Sequence, residues 1–332
     1  MNSEYRYPIV SVTGLCATGS SAVFDLLREY DTFESFPYEF RLLTDPDGII
    51  DLGNVLKNNW QDLNVDIAIR RFIALFDRIS RDTKWYYPLS YGYNALLDGR
   101  FEKELNVFLK NMGCLSWQGS WPYHWHEYSA AKWFFYRVLA KFKKEKWLYR
   151  NDKMYMASFS QFEEACRVLF NNICKIIAKD KDGKQILFDQ LIPAGNCEEF
   201  LTYFYDAKII IVDRDPRDVY TRGVVKQWPF IPTPNIDNYI AWYRTIRENT
   251  YPLADDSKRI LFVRFEDLIY KYEETKTLIE EFLHLNPSQQ IRPREYFKPE
   301  VSIKNTQSWH KMNPDAITQI EKELKEYCYP FK

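Results

Sequence analysis

The sequence predicts an α/β fold in which helices flank a parallel sheet, and three observations point to this class. Short apolar, β-branched runs are typical of strands buried on both faces of a parallel sheet, and they occupy residues 9–13, 186–192, 208–213 and 260–265. Helical patterns lie between these runs, so strands and helices alternate along the chain. A glycine-containing turn follows the first run directly and leads into an amphipathic helix. Residues 33–40 are a weaker candidate for a fifth strand.

Residues 54–170 follow a different pattern, with helical periodicity and no clear strand. Ile69, Phe72 and Phe76 mark one amphipathic face, and aromatic clusters occur at residues 85–88 and 117–128. The stretch predicts a large helical, aromatic-rich insertion into a single domain spanning residues 1–332. The last helix is expected to open at Asn313 and Pro314, a capping residue followed by proline.

The composition limits the possible partners. The chain has 332 residues and a formal net charge of -1, so no overall positive field attracts nucleic acid or an anionic membrane. We expect no nucleic-acid partner, no transmembrane segment and no signal peptide. The six cysteines form no CxxC pair or metal-ligand pattern, which favours reduced thiols in a cytoplasmic protein. The oligomeric state is left open by the sequence.

The turn after the first predicted strand reads Gly14-Leu15-Cys16-Ala17-Thr18-Gly19-Ser20-Ser21. A strand that passes through glycines into a helix directs backbone N–H groups and the helix dipole at one point, which favours a phosphate or sulfate group. The spacing is that of a P-loop, so the predicted class is a P-loop-NTPase-like sheet. Ser20 stands where a nucleotide hydrolase needs lysine, so ATP hydrolysis is not expected.

A second segment, Asp213-Arg214-Asp215-Pro216-Arg217-Asp218, follows the strand predicted at residues 208–213. Asp215 and Pro216 are expected to cap and open a helix. Arg214 then lies at the carboxyl end of a parallel strand, where α/β sheets bind ligands, and its planar fork suits a phosphate. For Arg217, an ion pair with a nearby aspartate is the favoured interpretation.

Together these two segments resemble the sulfotransferase superfamily, whose members transfer a sulfuryl group from 3′-phosphoadenosine 5′-phosphosulfate (PAPS). The resemblance implies that the first loop holds the 5′-phosphosulfate and that the segment from Arg214 to Asp218 holds the 3′-phosphate. The loop residues concerned are Ala17, Thr18, Gly19, Ser20, Ser21 and Ala22. The segment from Val263 to Leu268 resembles a later strand end of the family, which is interpreted as structural.

The resemblance also implies a C-terminal loop over the nucleotide, here residues 302–309. Lys304 would meet the 3′-phosphate, with Asn305 beside it, and Trp309 would pack nearby. A solvated lysine and a core tryptophan are the alternatives for Lys304 and Trp309.

The chain departs from the family pattern at two positions. Ala17 stands where the family usually has a lysine or arginine, and Arg41, Arg150 or Lys153 are candidates to supply that charge. Arg222 stands where the family usually has serine, with Thr221 beside it, and either side chain can donate to a phosphate.

Sulfuryl transfer needs a base to take the acceptor's proton, and no metal is expected. Glu39 is the first candidate, since the resemblance places a catalytic glutamate of the heparan-type sulfotransferases there. Asp189 is the second, at the end of the strand before Arg214, and His124 with His126 is the third. Gln190 replaces the histidine of the cytosolic sulfotransferases. A salt bridge to Arg41 is the structural alternative for Glu39.

The sequence therefore predicts a PAPS-dependent sulfotransferase acting on the hydroxyl of a small-molecule or glycan acceptor. A saccharide is slightly favoured over a sterol or phenol. The alternatives are a degenerate protein of the same fold that only binds a nucleotide or glycan, and a P-loop kinase with Asp213 at its magnesium site.

Overall fold

The structure is a computed structural model, and it describes residues 5–82, 91–119, 121, 129–142, 152–250 and 258–331. The chain divides into two compact units. The first, here called the sheet unit, comprises Met1–Thr44 and Phe170–Lys332; the second, the helical unit, comprises Asp45–Leu169.

A five-stranded parallel sheet forms the centre of the sheet unit, in the order β2-β5-β1-β6-β7. Its strands are β1 (Ile9–Gly14), β2 (Phe33–Glu39), β5 (Gln185–Asp189), β6 (Ala207–Asp213) and β7 (Ile260–Arg264). All five runs predicted from the sequence are strands, and the α/β class is confirmed. Because β1 lies between β5 and β6, its carboxyl end is a point at which the strand order reverses, where open α/β sheets bind ligands.

Helices surround this sheet. They are α1 (Ser20–Leu27), α8 (Cys197–Phe200), α9 (Pro216–Lys226), α10 (Ile236–Thr250), α11 (Phe265–Tyr270), α12 (Tyr272–Leu283), α13 (Pro299–Ser302) and α14 (Pro314–Glu323). A further helix, α7 (Phe162–Ile177), contains the division between the units. Val23, Leu26 and Leu27 of α1 pack with Val10 and Val12 of β1 in one buried cluster, so the apolar face of α1 fixes its start above the end of β1.

Two helix starts agree with the sequence prediction. The Asp215 carboxylate caps α9 by accepting from the backbone N–H of Arg217 at 2.8 Å. The Asn313 side chain caps α14 by accepting from the N–H of Asp315 at 2.9 Å, and proline is the first residue of both helices.

The helical unit contains five helices among its described residues, besides the start of α7. They are α2 (Ile49–Asn58), α3 (Asp62–Ser80), α4 (Tyr93–Leu96), α5 (Phe101–Asn111) and α6 (Ala130–Phe142). Phe72 and Phe76 of α3, which the sequence places on one amphipathic face, pack against Phe108 and Phe101 of α5.

The expectation that this stretch contains no strand is wrong. β3 (Leu115–Gly119) pairs antiparallel with β4 (Asp152–Met156). Four of the five β3 residues are exposed and the fifth is half-buried, so the strand has no continuous apolar run that the sequence could reveal. In the part of the chain that the structure describes, no helix is long and apolar enough to cross a membrane.

Candidate functional site

The glycine loop connects β1 to α1 in a conformation that its residues dictate. Gly19 has a φ of 88°, in the left-handed region that favours glycine, and precedes the first helical residue, Ser20. Ala17 also has a positive φ, 64°. A Cβ at Gly14 would lie 2.1 Å from Thr18 Oγ1, so the first glycine is needed for the tight turn. The first backbone N–H groups of α1 have no carbonyl acceptor within the helix, because no helical turn precedes them. This end of the helix is therefore suited to binding an anion.

Phe265, the first residue of α11, packs against two parts of the site. A Cβ at Gly19 would lie 2.7 Å from Cδ2 of the Phe265 ring, so the ring and the loop backbone are in close contact. The same ring lies 4.9 Å from the Arg214 guanidinium carbon, in a cation–π arrangement. The segment that the sequence analysis interpreted as structural thus supports both the glycine loop and Arg214.

Arg214 joins three distant segments of the chain. Its side chain leaves the end of β6, donates to the carbonyl oxygen of Ala17 at 2.9 Å and also donates to the carbonyl oxygen of Asn305. Only 5% of Arg214 is exposed, and burial lowers the pKa of its guanidinium. Its Nε is buried and has no hydrogen-bond partner among the described residues. The loop, the strand end and the C-terminal segment therefore meet at one guanidinium.

The other charged residues of this motif have structural partners. Asp215 and Arg217 form a buried pair with Nη2 to Oδ2 at 2.7 Å, as predicted for Arg217. The Asp218 carboxylate accepts from the backbone N–H of Gln307 at 2.9 Å and from that of Ser308 at 2.8 Å. These bonds hold the C-terminal segment close to the start of α9.

The three predicted C-terminal residues have different environments. Lys304 is exposed, whereas Asn305 is half-buried and its carbonyl accepts from Arg214. Trp309 lies with its ring 4.4 Å from the Arg217 guanidinium carbon and packs on the cluster that includes Val219 of α9. Trp309 is therefore part of the packing that fixes this segment.

Thr221 and Arg222 are on α9, one turn beyond the motif. Thr221 is buried and its hydroxyl donates to the carbonyl of Arg217 at 2.7 Å, within its own helix. Arg222 is half-buried, with its guanidinium carbon 6.0 Å from the Trp228 ring centre. Of these two residues, Arg222 retains the more accessible donor.

A chain of side-chain hydrogen bonds links the glycine loop to the end of β5. Thr13 Oγ1 of β1 donates to Gln190 Oε1 at 2.9 Å, and Gln190 Nε2 donates to Ser20 Oγ at 2.9 Å. Gln190 itself has a φ of 56° immediately after β5. Gln190 fixes the Ser20 hydroxyl at the helix start. The sequence identified Gln190 only as the residue that replaces a histidine and did not predict this role.

Two carboxylates lie side by side at the same sheet edge. Glu39 and Asp189 are register partners at the ends of β2 and β5. Burial, then the charges of Glu39 and Asp25, raises the pKa of Asp189 to about 7. Asp189 Oδ1 is buried without a hydrogen-bond partner among the described residues. Glu39 forms an ion pair with Arg41 at 3.2 Å, and its side chain is 52% exposed.

Asp213 is neutralised by arginines. It accepts from Arg247 and, at 3.2 Å, from Arg264. These contacts are typical of a structural ion cluster, which disfavours Asp213 as a magnesium ligand. No cluster of three or more metal-ligating side chains occurs among the described residues.

The remaining predicted residues cannot be placed at this site. His124 and His126 lie outside the described residues, as does Arg150. Lys153 belongs to the helical unit. Arg41, the remaining candidate for the cation missing at Ala17, lies in the sheet unit. Arg214, which was not one of those candidates, contacts Ala17 directly.

No protein-family model matches the chain, and no curated protein matches it. Among solved structures, it is similar to the sulfotransferase domain of the Synechococcus PCC 7002 olefin synthase, with 12% identity, coverage of 100% of this chain and 99% of that one, and a TM-score of 0.45. The chain is also similar to the sulfotransferase domain from the curacin biosynthetic pathway, with 11% identity, coverage of 96% of this chain and 98% of that one, and a TM-score of 0.41. A third similar structure is sulfotransferase STF9 from Mycobacterium avium, with 13% identity, coverage of 99% of this chain and 78% of that one, and a TM-score of 0.37.

These three solved structures are sulfotransferases or sulfotransferase domains. Because these TM-scores are low, we base the proposed function on contacts within the chain.

Proposed function

We propose that the protein is a cytoplasmic, PAPS-dependent sulfotransferase that transfers a sulfuryl group to a hydroxyl of a small-molecule or glycan acceptor. The observation that carries the proposal is the Arg214 side chain, which contacts both the glycine loop at Ala17 and the C-terminal segment at Asn305. A nucleotide with phosphate groups at two ends needs donors from separate segments, and these segments converge on one arginine.

The residues around Arg214 fit a doubly anionic nucleotide. The backbone N–H groups of Gly19, Ser20 and Ser21 at the start of α1 would hold the 5′-phosphosulfate, with Thr18 and Ala22 completing the loop. Arg214 would donate to the 3′-phosphate through its buried, unpaired Nε, and the accessible cations Arg222 and Lys304 would add charge. Asn305 and Trp309 would keep the C-terminal segment in place.

Asp189 is the base that the geometry favours over Glu39. A carboxylate with a pKa of about 7 accepts a proton more readily at neutral pH than an ordinary aspartate does, and it is linked through Gln190 to Ser20 of the loop. In the transfer, the acceptor oxygen bonds to sulfur while the bond from sulfur to the 5′-phosphate oxygen breaks. The acceptor's proton passes to Asp189, and the adjacent Glu39 raises the proton affinity of that site.

Ala17 leaves the charge on the departing phosphate oxygen to be balanced elsewhere. The start of α1 supplies positive potential at this point, and Arg214 Nη1 lies 2.9 Å from the Ala17 carbonyl oxygen. We therefore propose that the start of α1 takes the place of the missing loop cation, while Arg214 serves the 3′-phosphate.

Transfer of labelled sulfate from PAPS to a mixture of glycans, sterols and phenols, without metal and in the presence of a chelator, tests the proposal. We expect a product heavier by one sulfuryl group in mass spectrometry. Nucleotide binding without any product would favour the degenerate binder, and a requirement for ATP and magnesium would favour the kinase.

Binding of 3′-phosphoadenosine 5′-phosphate, measured by calorimetry, tests the site itself. Lys304→Ala changes an exposed side chain, so the fold is preserved and affinity falls by about tenfold through loss of one phosphate contact. Arg214→Lys keeps the charge but loses the planar fork and is expected to weaken binding further. Lys226→Ala, an exposed change on α9, is the matched control and leaves affinity unchanged. Unchanged affinity in both test variants contradicts the proposed site.

A further inference from the structure

Helix α6 of the helical unit exposes an apolar surface that the proposed reaction does not use. None of its residues Ala130–Phe142 is buried. Phe134 is 67% exposed, Phe135 60% and Phe142 83%, and Val138 lies between them. Residues 134, 138 and 142 are four apart, so they form one stripe along the helix, and Phe135 widens it. We call these four residues the α6 stripe.

The helix is regular although none of its residues is fully buried. The Ser129 hydroxyl accepts from the backbone N–H of Lys132 at 3.3 Å, and the Ser129 carbonyl accepts from the N–H of Trp133 at 2.9 Å. An isolated helix of this length is marginal in water, because most helices gain stability by burying an amphipathic face. An apolar environment that covers the α6 stripe would supply that missing contribution.

The charge of α6 identifies the kind of surface that fits it. Its charged residues are Lys132, Arg137 and Lys141, and its sequence contains no aspartate or glutamate. Arg137 and Lys141 are one turn apart and adjoin the stripe, and the Arg137 guanidinium carbon lies 4.8 Å from the Trp133 ring centre. A row of cations beside exposed aromatic rings matches anionic lipid headgroups over acyl chains.

A second copy of the chain fits this surface poorly. Packing two α6 stripes antiparallel against each other would bring the Arg137 and Lys141 rows of both copies together, and like charges at an interface oppose association. A bilayer presents no cation row of its own and accommodates phenylalanine and tryptophan at its boundary.

We infer that α6 is an interfacial helix that attaches the protein to the surface of an anionic membrane. The α6 stripe enters the boundary between headgroups and acyl chains, and Arg137 and Lys141 contact the anionic headgroups. With 13 residues the helix is too short to cross the membrane, so it lies on the surface. The inference is independent of the proposed chemistry.

Flotation of the full chain with lipid vesicles tests the inference. We expect binding to vesicles of phosphatidylcholine mixed with phosphatidylserine, weaker binding to phosphatidylcholine alone, and loss of the difference at high salt because the charges are screened. The double change F134S/F142S should weaken binding by about tenfold or more, since two exposed rings no longer enter the bilayer. R137E/K141E should abolish the preference for phosphatidylserine.

Two controls match these variants in chemistry but not in position. Leu278→Ser removes an exposed apolar side chain from α12, and K322E/K325E makes the same charge change near the C-terminus. Both should bind vesicles as the unmodified chain does. Circular dichroism and thermal unfolding verify that every variant is folded.

Three outcomes overturn the inference. One is failure of the unmodified chain to bind phosphatidylserine vesicles at low salt. Another is equal binding by all variants, which would place the membrane contact elsewhere. The third is an oligomer, seen by light scattering without lipid, that F134S/F142S dissociates, because a second copy would then cover the α6 stripe.

Discussion

Asp189 shows how the position of a single carboxyl changes its pKa. Its sequence context marks it only as the last residue of a strand. In the folded chain the Asp189 carboxyl is largely buried and lies near the charges of Glu39 and Asp25. These effects raise its pKa to about 7. Glu39, which the sequence ranks first, has a cation beside it instead.

Asp189→Asn is predicted to lower kcat/KM for sulfuryl transfer by about a hundredfold or more, because the acceptor's proton loses its base. In the unmodified chain, kcat/KM should rise with pH and level off above about 7, as Asp189 loses its proton. The variant should lose this rise. The pH profile with PAPS and a fixed acceptor is the measurement.

Glu39→Gln is the matched control for Asp189→Asn. It removes a negative neighbour, so it should lower the pKa of Asp189 and shift the rise to lower pH while much of the activity remains. Loss of the pH-dependent rise in Glu39→Gln but not in Asp189→Asn would assign the base to Glu39.

At the scale of elements, the glycine loop depends on close packing as well as on backbone freedom. Gly19 and Gly183 have nearly the same φ, 88° and 86°, but only Gly19 faces the Phe265 ring. The two positions therefore separate the cost of a left-handed alanine from the cost of displacing Phe265.

Gly183→Ala should destabilise the fold by about 1 kcal/mol and leave nucleotide affinity unchanged, since no atom lies within 4 Å of the added Cβ. Gly19→Ala carries the same backbone cost and must also push the Phe265 ring away. We expect about a tenfold or greater loss of affinity for 3′-phosphoadenosine 5′-phosphate by calorimetry. Equal affinities in the two variants would contradict the packing argument.

Another element-level device is the connection between α1 and the segment before α13. The fully buried Glu29 carboxylate accepts from the backbone N–H groups of Arg294, Tyr296 and Phe297 at 2.9 to 3.1 Å, and from Gln290 Nε2 at 2.8 Å. A carboxylate with four donors and no lysine or arginine partner in these bonds acts as the anchor of an irregular segment.

Glu29→Gln should lower the free energy of unfolding by about 3 kcal/mol, because the new amide N–H₂ faces donors where an acceptor is needed. Amides of residues 294–297 should exchange with solvent faster than those of β1. Glu281→Gln, an exposed change on α12, is the control and should alter neither quantity. Unchanged protection of residues 294–297 in Glu29→Gln would contradict the anchor role.

At the scale of the whole molecule, two buried carboxyls couple stability to pH. Asp189 and Glu266 each have a pKa of about 7, raised from 3.8 and 4.5, with burial as the largest cause. The folded chain therefore binds these protons more tightly than the unfolded chain does. Their contribution to stability is complete below about pH 4 and is lost as the pH rises through 7.

When the pH rises from about 5 to 8, the loss of the proton from each of these carboxyls should lower the free energy of unfolding by about 2 kcal/mol. Denaturant unfolding at both pH values measures the fall. Asp189→Asn should remove the part of this fall that is due to Asp189, and the variant should be more stable than the unmodified chain at the higher pH. An equal fall in the variant and the unmodified chain would show that Asp189 is not buried as described.

The sequence by itself determined the central sheet and the glycine loop that follows its first strand. Continuous apolar runs identify β1, β5, β6 and β7, because strands covered on both faces cannot alternate with polar residues. Capping pairs such as Asp215 with Pro216 set helix starts, since they act on the nearest backbone N–H groups. These signals are local, so they survive without knowledge of the fold. Strand β3, whose residues are exposed or half-buried, carries no such signal.

Only the tertiary structure decided which residues meet. It brought Arg214 to Ala17 and Asn305, positions far apart in the chain, and joined Gln190 to Ser20. It also raised the pKa of Asp189, because a pKa depends on solvent exposure and on charges that arrive from other strands. Periodicity and caps report on neighbours in sequence, whereas burial, long-range hydrogen bonds and electrostatic fields exist only once the chain has folded.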